Sequence, residues 1–462
     1  MEQALSRLRR ALCCRCCSRR CMFALILCVG ILFIVVAQEN LLAVAGIFSG
    51  AIAQNEVRRG ACPACFGEDF CPLLSRFRRR PELGRALLGN GKGVHKGILA
   101  SAESSLDFST LVQSKSSDLV IGKALAFDGE LGKLNREVCS DAKAHRAYFG
   151  DCGAVFNSMD GVVGQLACQV AKLVLSADWH ALYNVSRGAP TIAKCVGGRL
   201  HRKILRAYDG DNDGKLLASE AAILRTTVMV NIEAVVLKAF PASDGWPFPH
   251  YYGACGRMIF VEDSGTDMSD YISEPWEVRI RVAKGLVDAI IKLTDNSELW
   301  IFYLLDLQYD NFAVRYDRQH DRYAVKLIDL EHMIIVHKKE PVFTGEVSRV
   351  DVEPSISDSN LPCAKDSEDC QAFSTPQLCA GGLQDTNYYY VCRNLLFARI
   401  NWASGKIVSW ADGLLHSPPA EADWTPTLTQ LVNECILNTR GLGRAHAYQN
   451  LSSLLSQLIR QS

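Results

Sequence analysis

The fold of this chain is decided by one short segment, Tyr303-Leu304-Leu305-Asp306-Leu307-Gln308-Tyr309-Asp310-Asn311-Phe312-Ala313-Val314. It places Asp306 five residues before Asn311, between two apolar runs that are typical of strands. An aspartate in a polar loop is by itself most often a turn or cap residue. The spacing therefore acquires meaning only with support from the rest of the chain.

Two further segments supply that support. Downstream, Tyr323-Ala324-Val325-Lys326-Leu327-Ile328-Asp329-Leu330-Glu331 predicts a strand that ends at Asp329. Upstream, residues 231–240 read as the end of a helix that carries Glu233, and two strands are expected after it, through residues 250–253 and 257–262. Beyond these strands, a helix is expected over residues 277–293.

In this order and spacing the segments resemble a protein kinase. The resemblance implies that Asp306 accepts the proton of the acceptor hydroxyl, that Asn311 and Asp329 hold Mg²⁺, and that Glu233 orients a lysine on the phosphates of ATP. Three positions depart from the kinase pattern and put activity in question. They are Leu305 in place of arginine, Gln308 in place of lysine, and Glu331 in place of the glycine after the metal-binding aspartate.

Two lysines are candidates for the phosphate contact. Lys96 follows a glycine-rich stretch, residues 89–97, which is expected to combine a turn with a strand, although a flexible basic loop has the same composition. Lys123 ends the apolar run of residues 118–123. We prefer Lys96 from the sequence and keep Lys123 as the alternative.

The twelve residues from Asp209 to Glu220, DGDNDGKLLASE, match a calcium-binding EF-hand loop. The expected ligands are three monodentate aspartates, a backbone carbonyl, a water and a bidentate glutamate. The residues in these roles are Asp209, Asp211, Asp213, Lys215 through its carbonyl, and Glu220. Gly214 supplies the sharp turn at position six. The full pattern makes an ion-free acidic turn the less favoured interpretation.

The flanks of this loop also fit, because Leu200, Ile204 and Tyr208 recur at helical spacing before it. Leu217, at position nine, has no oxygen in its side chain, so a modest affinity is expected, in the range of about 0.1 to 1 mM typical of extracellular modules. Glu233 lies thirteen residues after Glu220. A continuous helix would separate them by about 20 Å, which suggests that calcium positions the lysine-pairing helix.

The N-terminus predicts a membrane anchor. Residues 1–20 contain six arginines and one acid, and residues 21–37 are uncharged and apolar. This run is longer than the apolar part of most signal peptides, so we favour a signal anchor over cleavage, with the N-terminus cytosolic. A weaker apolar stretch, residues 41–53, either lengthens a tilted helix or lies at the interface.

The chain has nineteen cysteines, of which Cys28 lies within the apolar run 21–37. Those at the edge of the predicted anchor are candidates for acylation or are plain reduced thiols, and they are Cys13, Cys14, Cys16, Cys17 and Cys21. Thirteen more, from Cys62 to Cys435, favour disulfides in an oxidising compartment, and an odd number leaves at least one unpaired within the chain. Zinc binding by Cys62, Cys65 and Cys71 is the less favoured alternative. Asn184 and Asn450 head glycosylation sequons.

Taken together, the anchor, the calcium loop, the Asp306, Asn311 and Asp329 set and the late cysteines resemble divergent protein kinase domain family 1. That family comprises cysteine-rich, single-pass proteins of the endoplasmic reticulum. The resemblance implies an α+β, bilobal kinase-like fold with an EF-hand in its N-lobe. It also implies the following order: tail 1–20, anchor 21–37, cysteine-containing stem 55–84, and kinase-like domain 85–462 with EF-hand insert 195–222 and cysteine cluster 363–392.

The leading functional hypothesis is a calcium-regulated lumenal kinase that uses Mg²⁺ and ATP on a secretory-pathway protein or glycan. The alternative is a pseudokinase that acts as a calcium-sensitive scaffold in the endoplasmic reticulum. A plain calcium buffer ranks last because the chain has one such loop. Lys plus Arg equals Asp plus Glu, at 50 each, so nucleic acid is not an expected partner.

Overall fold

The computed structural model of the chain describes residues 62, 65–79, 94–99, 119–126, 130, 195–342, 375–397, 399–403, 406–411, 413–419, 423–438 and 443–461. Several predictions fall outside these ranges. They concern the tail 1–20, the anchor 21–37, the glycine-rich turn at 89–93, Asn184, Cys363 and Cys370. Within the described ranges, no helix has both the length and the apolarity needed to cross a bilayer.

The first part of the fold is a five-stranded antiparallel sheet. Its strands are β1 (Phe77–Arg79), β2 (Val94–Leu99), β3 (Leu119–Ala124), β4 (Tyr251–Cys255) and β5 (Met258–Glu262), in the spatial order β1-β2-β3-β5-β4. β4 and β5 form a hairpin whose two-residue turn begins at Gly256, with a φ of 60° that favours glycine. Both strands predicted after Glu233 are confirmed by this hairpin.

Between β3 and β4, the described residues form three α-helices. They are α1 (Gly198–Tyr208), α2 (Ala218–Val230) and α3 (Glu233–Ala239). α1 buries Leu200, Ile204 and Tyr208, the residues whose spacing predicted this helix. α2 and α3 are separate helices, because Asn231 adopts an extended conformation with a φ of −162° and a ψ of 126°. The continuous helix considered from the sequence is therefore interrupted between Glu220 and Glu233.

The second part begins with β6 (Thr266–Asp267) and α4 (Trp276–Thr294), which matches the helix predicted over residues 277–293. Then follow β7 (Trp300–Leu304), β8 (Phe312–Asp317), β9 (Arg322–Leu327) and β10 (Met333–His337). β7 pairs with β10, and β8 lies between β6 and β9. The segment from Asp306 to Asn311 is thus the connection between β7 and β8, as the apolar runs on either side predicted.

The chain ends in helices with one intervening hairpin. These elements are α5 (Thr375–Cys379), α6 (Thr386–Val391), β11 (Arg399–Ala403), β12 (Lys406–Ala411), α7 (Thr425–Leu437) and α8 (Arg444–Gln461). Arg279 of α4 donates to the carbonyl oxygens of Leu414 and His416, at 2.9 and 2.8 Å. Asn387 of α6 accepts the N–H of Leu304 at 3.0 Å and so fixes the end of β7. The Asn387 bond thus supports the strand that leads into Asp306, and the Arg279 bonds tie α4 to the segment that precedes α7.

Four disulfides are described, and they confirm the preference for disulfides over zinc. Cys62 bonds to Cys65, Cys71 to Cys255, Cys195 to Cys379, and Cys392 to Cys435. Two members of the predicted cluster 363–392 are therefore bonded to cysteines outside it, because the fold brings α5 beside the start of α1 and packs the segment after α6 against α7.

One continuous apolar core connects the two parts. Its centre is a group of aromatic rings that pack edge to face around Phe240, at the end of α3. The Phe240 ring centroid lies 4.9 Å from that of Phe302 in β7 and 5.3 Å from that of Trp300. Such pairs add about 0.5–1.5 kcal/mol each to the burial of their surface. The position of α3 is therefore tied to the strand that leads into Asp306.

Candidate functional site

A buried ion pair joins the sheet to α3. The Lys123 ammonium, at the end of β3, lies 2.6 Å from the Glu233 carboxylate. Glu233 is 2% exposed at the first position of α3. Lys123 also donates to the carbonyl oxygen of Ile328, at 2.9 Å. One lysine thus connects β3, α3 and the residue immediately before Asp329.

The second candidate lysine lies elsewhere. Lys96, on β2, forms an ion pair at 2.6 Å with Asp263, which follows β5. Lys96 is opposite Ile121 in the β2–β3 register and Lys123 is opposite Val94, so the two lysines lie on one face but are offset along the strands. Because of this offset, the Lys96 ammonium reaches Asp263 and the Lys123 ammonium reaches Glu233. The preference for Lys96 as the partner of Glu233 is corrected to Lys123.

The Lys123 site carries more negative than positive charge. Burial, with smaller contributions from Asp329 and Glu331, raises the pKa of Glu233 to about 7 against the lowering effect of Lys123. Burial lowers the pKa of Lys123, but Glu233, Asp329 and Glu331 together hold it above its usual value. Three carboxylates therefore share one ammonium, and a bound cation would relieve their repulsion.

The Asp306 segment is held together by bonds from its own residues. The Asn311 side-chain amide donates to the backbone oxygen of Asp306 at 3.0 Å, and the Asn311 backbone oxygen accepts the N–H of Ile328 at 2.8 Å. The Gln308 amide donates to the Asp306 carboxylate at 2.8 Å. Gln308, named from the sequence as a departure, is thus in direct contact with Asp306.

Asp310 is a member of this site that the sequence did not identify. Its pKa is raised by burial and by the charges of Asp267, Asp306 and Asp329. These effects make the four carboxylates electrostatic neighbours. The sequence signal was present, since Asp310 precedes Asn311 in the quoted segment, but the kinase pattern assigns that position no role.

Asp329 and Glu331 belong to one bonded turn. The Glu331 N–H donates to the Asp329 carboxylate at 3.2 Å. The Glu331 carboxylate accepts the side-chain amide of Asn231 at 2.7 Å and lies 3.3 Å from the His332 ring. This contact with Glu331 raises the pKa of His332. Asn231 is a second residue that the sequence did not identify.

The structure brings the predicted catalytic residues to one place, apart from Lys96. Glu233 contacts Lys123, Lys123 contacts Ile328, and Ile328 contacts Asn311. Asn311 in turn contacts Asp306. A lysine and several neighbouring carboxylates are the groups that hold a metal-bound polyphosphate in a kinase. The oxygens of Asn311 and Asp329 are of the type that Mg²⁺ prefers.

The predicted calcium loop connects α1 to α2. One carboxylate oxygen from each of Asp209, Asp211 and Asp213 lies within 4.8 Å of the others, and this is the only such acidic group in the described part of the chain. Gly214 has a φ of 86°, and its N–H donates to the Asp209 carboxylate at 2.8 Å. The first and sixth positions of the loop are therefore joined across its turn.

Two observations bear on whether this loop fits a cation. Asp209 is 8% exposed, and one of its carboxylate oxygens is buried without a hydrogen-bond partner among the described residues. The Glu220 carboxylate points back into the loop, where it accepts the N–H groups of Gly210 and Leu217 at 2.9 and 2.8 Å. A buried, unpartnered anionic oxygen beside further carboxylates is a fitting ligand for a hard cation.

The sheet, the Lys123–Glu233 pair and the Asp306-to-Asp329 site define the class of this protein as protein-kinase-like. Residues 226–438 match the model of a family described as the protein-kinase domain of FAM69. The match begins within α2, after the loop at 209–220. No solved structure matches the chain.

Relatives cover most of the chain. Divergent protein kinase domain 2A of Xenopus tropicalis is 29% identical over 417 residues, which span 86% of each chain, and that of Homo sapiens is 29% identical over 414 residues, again 86% of each. Divergent protein kinase domain 2B of Bos taurus is 27% identical over 27% of this chain and 30% of its own length. The chain is similar to divergent protein kinase domain proteins over most of its length, and these matches support the resemblance seen in the sequence. The relatives are named domain 2, whereas the sequence suggested family 1.

Proposed function

We propose that this protein binds a magnesium nucleotide at the Lys123 site and transfers a phosphoryl group to a protein or glycan of the secretory pathway. The observation that carries the proposal is the buried Lys123–Glu233 pair, at 2.6 Å, held against the residue that precedes Asp329. A lysine oriented by a helical glutamate is what phosphate positioning requires.

Each residue then has a defined task. Lys123 contacts the phosphates, Glu233 orients Lys123, and Asp306 accepts the proton of the acceptor hydroxyl. Asn311 and Asp329 would hold Mg²⁺, whose charge would neutralise phosphate oxygens and offset the excess of carboxylates. The Gln308 amide keeps the Asp306 carboxylate in place through its 2.8 Å bond.

The alternative is a pseudokinase that binds ligands without turnover and acts as a calcium-sensitive scaffold. Specific contacts favour it. The Gln308 amide occupies one Asp306 oxygen, and Leu305 is 4% exposed where kinases place an arginine. Glu331 adds a third carboxylate beside Lys123. These features weaken proton acceptance and phosphate binding without removing the fold.

Nucleotide binding tests the proposal. We expect ATP with Mg²⁺ to raise the melting temperature of the purified full chain, since a ligand at a hundredfold of its Kd stabilises by about 2.7 kcal/mol. Lys123→Met should abolish the shift. Lys96→Met is the matched control, because Lys96 is on the neighbouring strand but pairs with Asp263, and it should keep the shift.

Three results are informative. A shift together with phosphate transfer that Asp306→Asn removes supports the kinase. A shift without transfer, unchanged by Asp306→Asn, supports the pseudokinase. If no nucleotide produces a shift under any metal condition, the kinase proposal is wrong.

We also propose that the loop at 209–220 binds calcium. The unpartnered Asp209 oxygen and the neighbouring carboxylates support it. Asp209→Ala should weaken calcium binding beyond the about 1 mM limit of weak modules, as measured by isothermal titration. Lys215→Ala is the control, because the expected ligand at that position is a backbone carbonyl and binding should persist. Equal calcium affinity in the two variants would contradict the assignment.

We further propose that the chain is a type II protein of the endoplasmic reticulum membrane, anchored by residues 21–37, with most of its length in the lumen. The four disulfides support an oxidising compartment. Asn450 is exposed on α8, where a glycan can be carried. Loss of mass on glycosidase treatment of the protein from cells would support this orientation, and unglycosylated, fully reduced protein would contradict it.

A further inference from the structure

Asn231 occupies the junction between α2 and α3 and is 3% exposed. Its side-chain oxygen accepts the N–H of Glu233 at 2.9 Å. Its side-chain nitrogen donates to the Glu331 carboxylate at 2.7 Å and to the Leu125 carbonyl at 3.4 Å. The donors and the acceptor of this amide are thus all engaged, and they join the end of α2 to three other parts of the fold.

Glu331 gives that junction its second anchor. Kinases carry a glycine at this position, which allows the following segment to turn over. Here the Glu331 carboxylate is bonded to Asn231, and its N–H is bonded to Asp329. A glycine would leave the backbone free to rotate here, whereas Glu331 links Asp329 through hydrogen bonds to Asn231, which precedes α3.

These bonds form a closed ring. From Asn231 the ring runs through Glu331 to Asp329, and it also runs through Glu233 and Lys123 to Ile328, the residue next to Asp329. A closed ring has few ways to move in part, because the displacement of one buried member leaves another without its partner. The orientation of Asp329 and the orientation of Lys123 are thereby linked.

We infer that the Asn231–Glu331 hydrogen bond is a latch that transmits the state of the loop at 209–220 to the Lys123 site. The inference rests on the proposed calcium binding. Glu220 lies in the first turn of α2, and Asn231 directly follows the last turn. Calcium would draw the Glu220 carboxylate from the N–H groups of Gly210 and Leu217, and the helix carries that displacement to the latch. Asn231 and Glu331 are positioning residues, since they act through Glu233 and Asp329.

Hydrogen exchange of the full chain tests the latch, followed by mass spectrometry with and without calcium. In the unmodified protein we expect calcium to slow the exchange of backbone amides in residues 323–333 several-fold. Asn231→Ala and Glu331→Ala should still bind calcium but lose that response. Glu331→Gln should retain the calcium response, because its amide oxygen still accepts the hydrogen bond from the Asn231 side chain. If the negative charge of Glu331 were what mattered, Glu331→Gln would lose the response as Glu331→Ala does.

The outcomes separate the inference from the proposal on which it rests. Calcium binding without slower exchange in residues 323–333 overturns the latch and leaves the calcium site standing. A response in both alanine variants equal to that of the unmodified protein overturns it as well. If titration detects no calcium binding to the unmodified chain, the calcium proposal fails and the latch fails with it.

Discussion

At the scale of single residues, the site depends on how three carboxylates share one buried ammonium. Glu233 retains a pKa near 7 although Lys123 is 2.6 Å away, because burial and the charges of Asp329 and Glu331 outweigh the lysine. A divalent cation at Asp329 would supply the missing positive charge. Burial and charge therefore favour a cation beside these carboxylates.

The titration of Glu233 gives a stability prediction. Its pKa is about 7 in the folded chain against an ordinary value of 4.5, so between these values the folded state holds a proton that the unfolded state releases. The contribution to stability is complete below pH 4.5 and is lost as the pH rises through 7. The free energy of unfolding should fall by up to roughly 3 kcal/mol across this window from this group alone. Glu233→Gln should remove that slope.

Denaturant unfolding at several pH values, with metal chelated, measures the effect as the difference between the unmodified protein and Glu233→Gln. Glu298→Gln serves as the control, because Glu298 is a more exposed glutamate, 4.0 Å from Lys203. A difference between the unmodified protein and Glu233→Gln that stays constant with pH would show that Glu233 does not titrate in this range.

At the scale of elements, the packing of α4 on β9 depends on a residue without a side chain. A Cβ atom added at Gly285 would lie 2.4 Å from the backbone oxygen of Tyr323 and 2.9 Å from a methyl of Val325. β9 leads directly to Ile328 and Asp329. The distance between α4 and β9 therefore affects where the strand places Asp329, the aspartate proposed to hold Mg²⁺.

We predict that Gly285→Ala destabilises the protein, by about 1–3 kcal/mol, as is typical of overpacking. The direction of this change in stability is informative, because alanine in an ordinary helix interior stabilises a protein by roughly 1 kcal/mol relative to glycine. Thermal unfolding measures it, and Glu277→Ala, at an exposed position of the same helix, should have little effect. An unchanged or higher melting temperature for Gly285→Ala would contradict the close contact.

The break between α2 and α3 is also decided at this scale. Residues 221–240 are apolar enough to form one helix, yet Asn231 leaves the helical conformation and its amide bonds to groups on other elements. Asparagine competes well for such bonds because its short side chain reaches backbone and neighbouring groups. The local sequence pattern predicted the helices, whereas hydrogen bonds to groups on other elements set the boundary between α2 and α3.

At the scale of the whole molecule, two disulfides connect residues that are far apart in the chain. Cys71–Cys255 and Cys195–Cys379 each have a sequence separation of 184. The first ties the N-terminal part of the described chain to β4. The second ties the start of α1, and with it the helix that leads into the loop at 209–220, to α5. Closing long loops removes much of the entropy of the unfolded chain.

We predict that replacing both Cys195 and Cys379 by alanine lowers stability by roughly 2–5 kcal/mol, the usual cost of removing a native disulfide from a small secreted domain. The matched control replaces Cys62 and Cys65, whose separation of 3 residues closes a very short loop, and should cost less. Thermal unfolding compares the two. A larger loss for the Cys62 and Cys65 pair would show that local strain, not loop closure, dominates.

The sequence by itself determined the class of fold, the loop at 209–220, and the roles suggested for Glu233, Asp306, Asn311 and Asp329. The loop rests on spacing within one short segment, and the fold class and the roles rest on such spacing together with the resemblance to protein kinases that it supports. Only the tertiary structure decided that Lys123 and not Lys96 pairs with Glu233, because that choice depends on strand register. The fold also decided the disulfide partners and the Asn231–Glu331 bond, since each joins residues at least 43 positions apart, except Cys62 and Cys65. No local pattern encodes such pairs, because packing alone brings them together.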